Sequence, residues 1–100
     1  MITRMTASQM REINEETVFT YACVESEIAD EESGFIRTYG IEMRMCAKNA
    51  SESVLLLLIP DISTDREQIQ RLVKWMDKLQ IHPVHVEDVI EDFLYDLSVE

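Results

Sequence analysis

The stretch Phe35-Ile36-Arg37-Thr38-Tyr39-Gly40-Ile41-Glu42-Met43-Arg44-Met45-Cys46 decides how this chain folds. On an extended backbone Phe35, Tyr39, Ile41, Met43 and Met45 point one way, and Thr38, Gly40, Glu42 and Arg44 the other. A period of two with one polar side is the pattern of a half-buried antiparallel strand. Arg37 interrupts the apolar side near the strand start, where its stem can reach water.

Upstream lies Asp30-Glu31-Glu32-Ser33-Gly34, a set of turn residues in which Gly34 is free to take a positive φ. Before that turn, Glu16 to Ile28 is rich in β-branched and aromatic residues and reads as the partner strand. A turn centred on Glu32-Ser33 pairs Ile28 with Arg37, Val24 with Ile41 and Ala22 with Met43, and turns Val18, Ala22, Val24 and Ile28 to the apolar side. A slip of one residue presents Phe19, Tyr21 and Cys23 instead. Both sets are apolar, so the register stays open and the strand is expected to meet apolar surface on both sides.

Downstream, the polar connector Lys48 to Glu52 leads to Val54-Leu55-Leu56-Leu57-Leu58-Ile59. An unbroken apolar run of this length is a strand covered on both faces, and Pro60 is expected to end it. Ser63-Thr64-Asp65-Arg66-Glu67 then carries a capping box, with Thr64 as the cap and Glu67 reaching back. Ile69, Leu72, Val73, Met76 and Leu79 follow at helical spacing. Pro83 separates that helix from a second one, in which Val86, Val89, Ile90, Phe93, Leu94 and Leu97 form the strongest periodic signal of the chain.

The expected architecture is α+β, a three-stranded antiparallel sheet followed by two helices packed on one face, in the order β-β-β-α-α. Residues 15–100 form that single domain. Met1 to Asn14, thin in hydrophobic residues, is either a tail or a short helix.

Composition narrows the function. Twenty Asp and Glu against nine Lys and Arg give a net charge of −11, which speaks against nucleic acid and anionic membrane as partners. No run approaches the roughly 20 apolar residues of a membrane span. Met1-Ile2-Thr3-Arg4-Met5 lacks the apolar core of a secretory signal, so a cytoplasmic location is expected. Cys23 and Cys46 form no CxxC motif and read as reduced, buried thiols.

Three clusters are candidates for function. His82 and His85 with Asp88 and Asp92 could ligate a metal, because His85, Asp88 and Asp92 share a helical face. Against this, no HExxH or paired CxxC is present, and the plainer role is a helix cap with Glu87 and Asp88 answering the dipole. Glu87, Asp88, Glu91, Asp92 and Asp96 make the last helix acidic, and no Lys or Arg occurs from Gln80 onward. That face is either solvated or a docking surface for a basic partner. Trp75 lies at the edge of its helix stripe and Tyr95 opposite its own, positions enriched at interfaces. No GxSxG or glycine-rich phosphate loop supports nucleophilic or phosphoryl chemistry.

Three motifs together resemble a known family: Thr38-Tyr39-Gly40-Ile41-Glu42, Pro60-Asp61-Ile62-Ser63-Thr64-Asp65-Arg66, and His82-Pro83-Val84-His85-Val86-Glu87-Asp88-Val89-Ile90-Glu91-Asp92-Phe93-Leu94. The resemblance is to short uncharacterised proteins of anaerobic Gram-positive bacteria, a domain of unknown function. It spans Phe19 to Leu94, leaves Met1–Asn14 outside, and implies no activity, ligand or catalytic residue. The expectation is therefore a non-enzymatic protein-interaction or regulatory module without cofactor. Its partner is a protein, including a second copy bound through Val54–Ile59 or the first strand, because apolar faces outnumber what two helices cover. The alternatives are a metal-binding protein or hydrolase built on His82, His85, Asp88 and Asp92, and an acidic mimic of nucleic acid.

Overall fold

A computed structural model describes residues 4, 6–14, 16–47 and 52–98, without the side chains of Met10, Glu12 and residues 96–98. The connector residues 48–51, the residues 1–3 and the side chains of Asp96 and Leu97 thus lie outside the described residues. The elements are α1 (Ala7–Glu12), β1 (Thr17–Asp30), β2 (Gly34–Ala47), β3 (Val54–Ser63), α2 (Arg66–Leu79), a 3-10 turn (Pro83–His85) and α3 (Val86–Ser98). The sheet is antiparallel in the order β1-β2-β3, with β1 and β3 at its edges. This is the expected α+β architecture.

The hairpin settles the register. Asp30 pairs with Gly34 around the three-residue loop Glu31-Glu32-Ser33, so Cys23 faces Ile41, Tyr21 faces Met43 and Phe19 faces Met45. The slipped register holds, and the pairs Val24 with Ile41 and Ala22 with Met43 do not form. The cause is local. Asp30 accepts a hydrogen bond from the Ser33 amide at 3.0 Å, and Gly34 closes the loop at φ +88°. Hydrogen bonds from Ser33, with lesser ones from the Glu32 and Glu31 amides, hold the Asp30 carboxyl below its usual range.

β3 does not stop at Pro60. It runs on to Ser63, which pairs with Tyr39 across a register shift that leaves Asp61 at φ +57°. Proline is tolerated because β3 is an edge strand with an irregular ladder there. At the same place the β3 backbone closes on Gly40: a Cβ on that residue would lie 2.0 Å from the Ile59 carbonyl oxygen. Two of the three sequence motifs are thereby packed against each other. A second shift, opposite Met43 and Arg44, lets the successive residues Leu56 and Leu57 both be buried.

The core lies between the sheet and the helices. It holds Phe19, Ile41, Met43, Met45, Leu56 and Leu57 from the sheet, Ile69, Leu72 and Met76 from α2, and Val86 and Ile90 from α3. The cap of α2 is Asp65, not Thr64. Its carboxylate accepts from the amides of Glu67 (3.0 Å) and Gln68 (3.3 Å), while Ser63 Oγ accepts from Asp65 N at 3.0 Å. A carboxylate is the stronger acceptor at the positive end of a helix, and β3 extends far enough to use Ser63 as its last strand residue. Leu79, expected in the core stripe, is exposed because α2 ends there, with Gln80 left-handed at the C-cap.

A glutamine caps each sheet edge at one residue. Gln80 pairs with the backbone of Phe19 on β1, accepting from its N–H at 3.1 Å and donating to its carbonyl at 3.2 Å. Gln9 donates to the Leu55 carbonyl on β3 at 3.3 Å. The helix α1 is started by a reciprocal Thr6–Gln9 capping box.

Candidate interaction surface

α2 and the turn that follows it place the residues singled out from sequence. The Tyr21 hydroxyl donates to the Ile81 carbonyl, which ties the end of α2 to the middle of β1. Burial, with the Asp77 carboxylate adding to it, pushes the Tyr21 phenol well above its usual range. His82 then caps the 3-10 turn: its Nδ1 accepts from the Val84 amide at 3.2 Å. Its ring also meets Phe19 edge-on at 6.0 Å between centroids, so His82 seals the end of the core.

That role engages Nδ1, one of the two ring nitrogens of His82. Among the described residues no three of His, Cys, Asp and Glu converge to hold an ion, so His82, His85, Asp88 and Asp92 are not gathered as a ligand set. His85 is exposed, with its ring 6.4 Å from that of His82. Asp88 lines a cleft of about 280 Å³ with Arg4, Leu57, Pro83, Val84 and Glu87, where Arg4 pairs with Glu87. Asp92 faces a different cleft.

The cysteines offer no nucleophile of evident activation. Neither forms a disulfide. Burial pushes the Cys23 thiol up, and Glu25 adds to this while Arg66 opposes it. Such a thiol stays protonated and unreactive at neutral pH.

What the structure does assemble is an apolar cleft with one carboxylate, Asp92, on its rim. Trp75 is 48% exposed and lines about 220 Å³ with Val89, Phe93 and Asp92, across the junction of α2 and α3. Asp88, Glu91 and Asp92 are exposed on α3 and Glu87 is half-buried. On the other flank of α3, Ile59, Glu87, Ile90 and Glu91 border a smaller hollow of about 160 Å³. Tyr95 and Leu94 are exposed too.

Leu94 was expected inside with the rest of the α3 stripe. The apolar stripe is longer than the part of the core available to it: Val86 and Ile90 are buried, Val89 and Phe93 half-buried, and Leu94 reaches solvent. Sequence reasoning found Trp75 from its offset on the helix, but Phe93 looked like core. Only the crossing of α2 and α3 brings the two rings to one cleft. Gly40, Gln9 and Gln80, which hold the sheet in place beneath, gave no signal as a periodic pattern.

Comparison with known proteins adds one match. A family model described as "Family of unknown function (DUF6514)" matches residues 1–96. The match takes in Met1–Asn14, which the motif resemblance left outside, in keeping with a segment that contacts both β3 and α3. No curated protein and no solved structure matches the chain.

Proposed function

We propose that this chain, which belongs to the DUF6514 family of unknown function, works as a non-enzymatic protein-interaction or regulatory module. Its docking surface is the α2–α3 side centred on Trp75. The observation that carries the reading is the half-exposed Trp75 beside Val89 and Phe93, with Asp92 on the rim. An aromatic residue in an apolar cleft bordered by charge is the usual anchor of a protein interface. The partner that fits is a protein with a basic amphipathic segment, its apolar side on Trp75 and Phe93 and a cation on Asp92.

A net charge of −11 attracts such a partner over distance and repels nucleic acid and anionic lipid. No helix among the described residues is long and apolar enough to cross a membrane. We place the work in the cytoplasm, where two cysteines that form no disulfide stay reduced. The three-motif resemblance supports a host among anaerobic Gram-positive bacteria.

The test is capture from an extract of the source cell with the full chain as bait, run in parallel with Trp75→Ala and Asp92→Lys. The reading expects a basic protein held by the wild type, lost with both variants, whose addition shifts the emission of the single tryptophan. An identical captured set for all three baits contradicts it.

A further inference from the structure

The other side of the sheet carries a second surface. Because β1 and β2 are in perfect alternation, the helix-facing set fixes the opposite one: Val18, Thr20, Ala22, Val24, Ser26 and Ile28 on β1, beside Ile36 to Cys46 at even positions on β2. Val18, Thr20, Ala22 and Ile28 are exposed and Val24 is half-buried, while on β2 Ile36, Glu42, Arg44 and Cys46 are half-buried and Thr38 and Gly40 lie buried within the chain. From Val18 to Ile28 the β1 row holds no charge, and Asp30 follows only at the hairpin loop. On β2 the charged residues of this side are Glu42 and Arg44, and they form an ion pair. The carboxylates of Glu25 and Glu27 sit on the helix side, around Arg37. In a chain with twenty acidic residues, a neutral sheet face with β-branched side chains is the exception.

We infer that this face is a self-association surface, on which two copies of the chain pack sheet against sheet across a twofold axis. Three observations favour a second copy over another occupant. A net charge of −11 makes copies repel through any acidic surface, whereas the charges of this one, Glu42 and Arg44, cancel within the contact. A twofold axis near Glu42 and Arg44 sets each of these groups against its opposite on the partner subunit, so the only charges present are self-complementary. Edge-to-edge growth of the sheet is hindered at one place on each edge, since Gln80 occupies the β1 backbone at Phe19 and Gln9 with Pro60 interrupts β3.

The size is adequate. From Val18 to Ile28, at ~3.3 Å per residue and ~4.8 Å per strand, with β3 beside β2 over only about half that length, the face projects to roughly 400 Å² per copy. Its side-chain surface then comes near the roughly 600–800 Å² that each partner gives to a stable interface. Facing sheets would lie ~10 Å apart, the spacing of a β-sandwich. The dimer leaves both Trp75 clefts outward, so it does not rest on the docking proposal above.

Sedimentation equilibrium of the full chain at about 20 μM tests this. The expected mass is twice 11.7 kDa. Ala22→Glu and Val18→Lys, which replace exposed side chains, are expected to return the 11.7 kDa monomer with unchanged far-UV circular dichroism, while Trp75→Ala stays dimeric. A monomeric wild type at that concentration overturns the inference, and so does a dimer that both charged variants retain. A measurement on the wild type stands beside these in case the variants do not fold. Cys46 lies on the proposed face, so its alkylation should speed up by roughly tenfold on dilution through the dissociation range. A rate that ignores protein concentration overturns it equally.

Discussion

The two sides of one β-hairpin have opposite fates. On the odd positions Phe19, Ile41, Met43 and Met45 are covered by helices and nearly dry, whereas on the even positions Val18 and Ile28 stay open. The covered side also bears the charge, since the helices that shield it carry their carboxylates outward. The open side is almost uncharged. A three-stranded sheet this long offers two apolar faces, and two helices close only one. The difference teaches that a small acidic domain can keep surfaces for two kinds of contact apart, a charged one for a basic partner and a neutral one for itself.

The comparison can be broken first at the covered side. Met43 is fully buried between sheet and α2. Met43→Ala should lower unfolding free energy by about 3–5 kcal/mol, read from urea melts, because the lost contacts leave a cavity. A loss below ~1 kcal/mol would mean that the helices do not lie on this face.

Gly40 comes next. It marks where β3 closes on the hairpin, and an added methyl would sit 2.0 Å from the Ile59 oxygen and 2.6 Å from Pro60 Cα. Gly40→Ala should destabilise by about 2–3 kcal/mol through forced backbone movement. Unchanged thermal melting would remove β3 from that place.

Tyr21→Phe deletes the hydrogen bond to Ile81 and should cost about 1 kcal/mol. The same residue gives a pH signature. Its folded-state pKa is raised by burial and by Asp77, so its contribution is complete below the unfolded value near 10 and declines as pH climbs past it. Wild-type stability should therefore fall above about pH 10, and Tyr21→Phe should fall less over that window. Parallel slopes for the two proteins would contradict the buried phenol.

The smallest effect has the opposite sign. Thr38 is 1% exposed and its hydroxyl has no hydrogen-bond partner among the described residues. Thr38→Val keeps the shape and removes the buried polar group, so it should be neutral or stabilising by up to about 1 kcal/mol. A clear loss would reveal a hydrogen bond made by that hydroxyl.

Much of this was legible in the sequence, and the limits follow from physics. Period-two alternation from Phe35 to Cys46 and the stripe from Val86 to Phe93 named their elements, because burial on one side leaves a periodic trace. The register did not show, since both faces of β1 are apolar and the choice fell to Asp30, Ser33 and Gly34 in the loop. Nor did the run of β3 past Pro60, which depends on β3 being an edge strand. The candidate surface was half visible. Trp75 stood out at the rim of its stripe, while Phe93 joined it only through the packing of two helices, a long-range fact with no local signature. The glutamines that cap the sheet edges act across 46 and 61 residues of chain, beyond any motif.

The division between a neutral self-associating face and an acidic docking face is tested most directly by the salt dependence of wild-type dimerisation in sedimentation. Raising salt from about 20 mM to about 300 mM shortens the screening length to well under 10 Å. Two chains of charge −11 then repel less, which outweighs the weakening of the few pairs at Glu42 and Arg44, so the dimer should tighten. A dimer that loosens as salt rises would be held by opposite charges, and the assignment of the uncharged sheet face would be wrong.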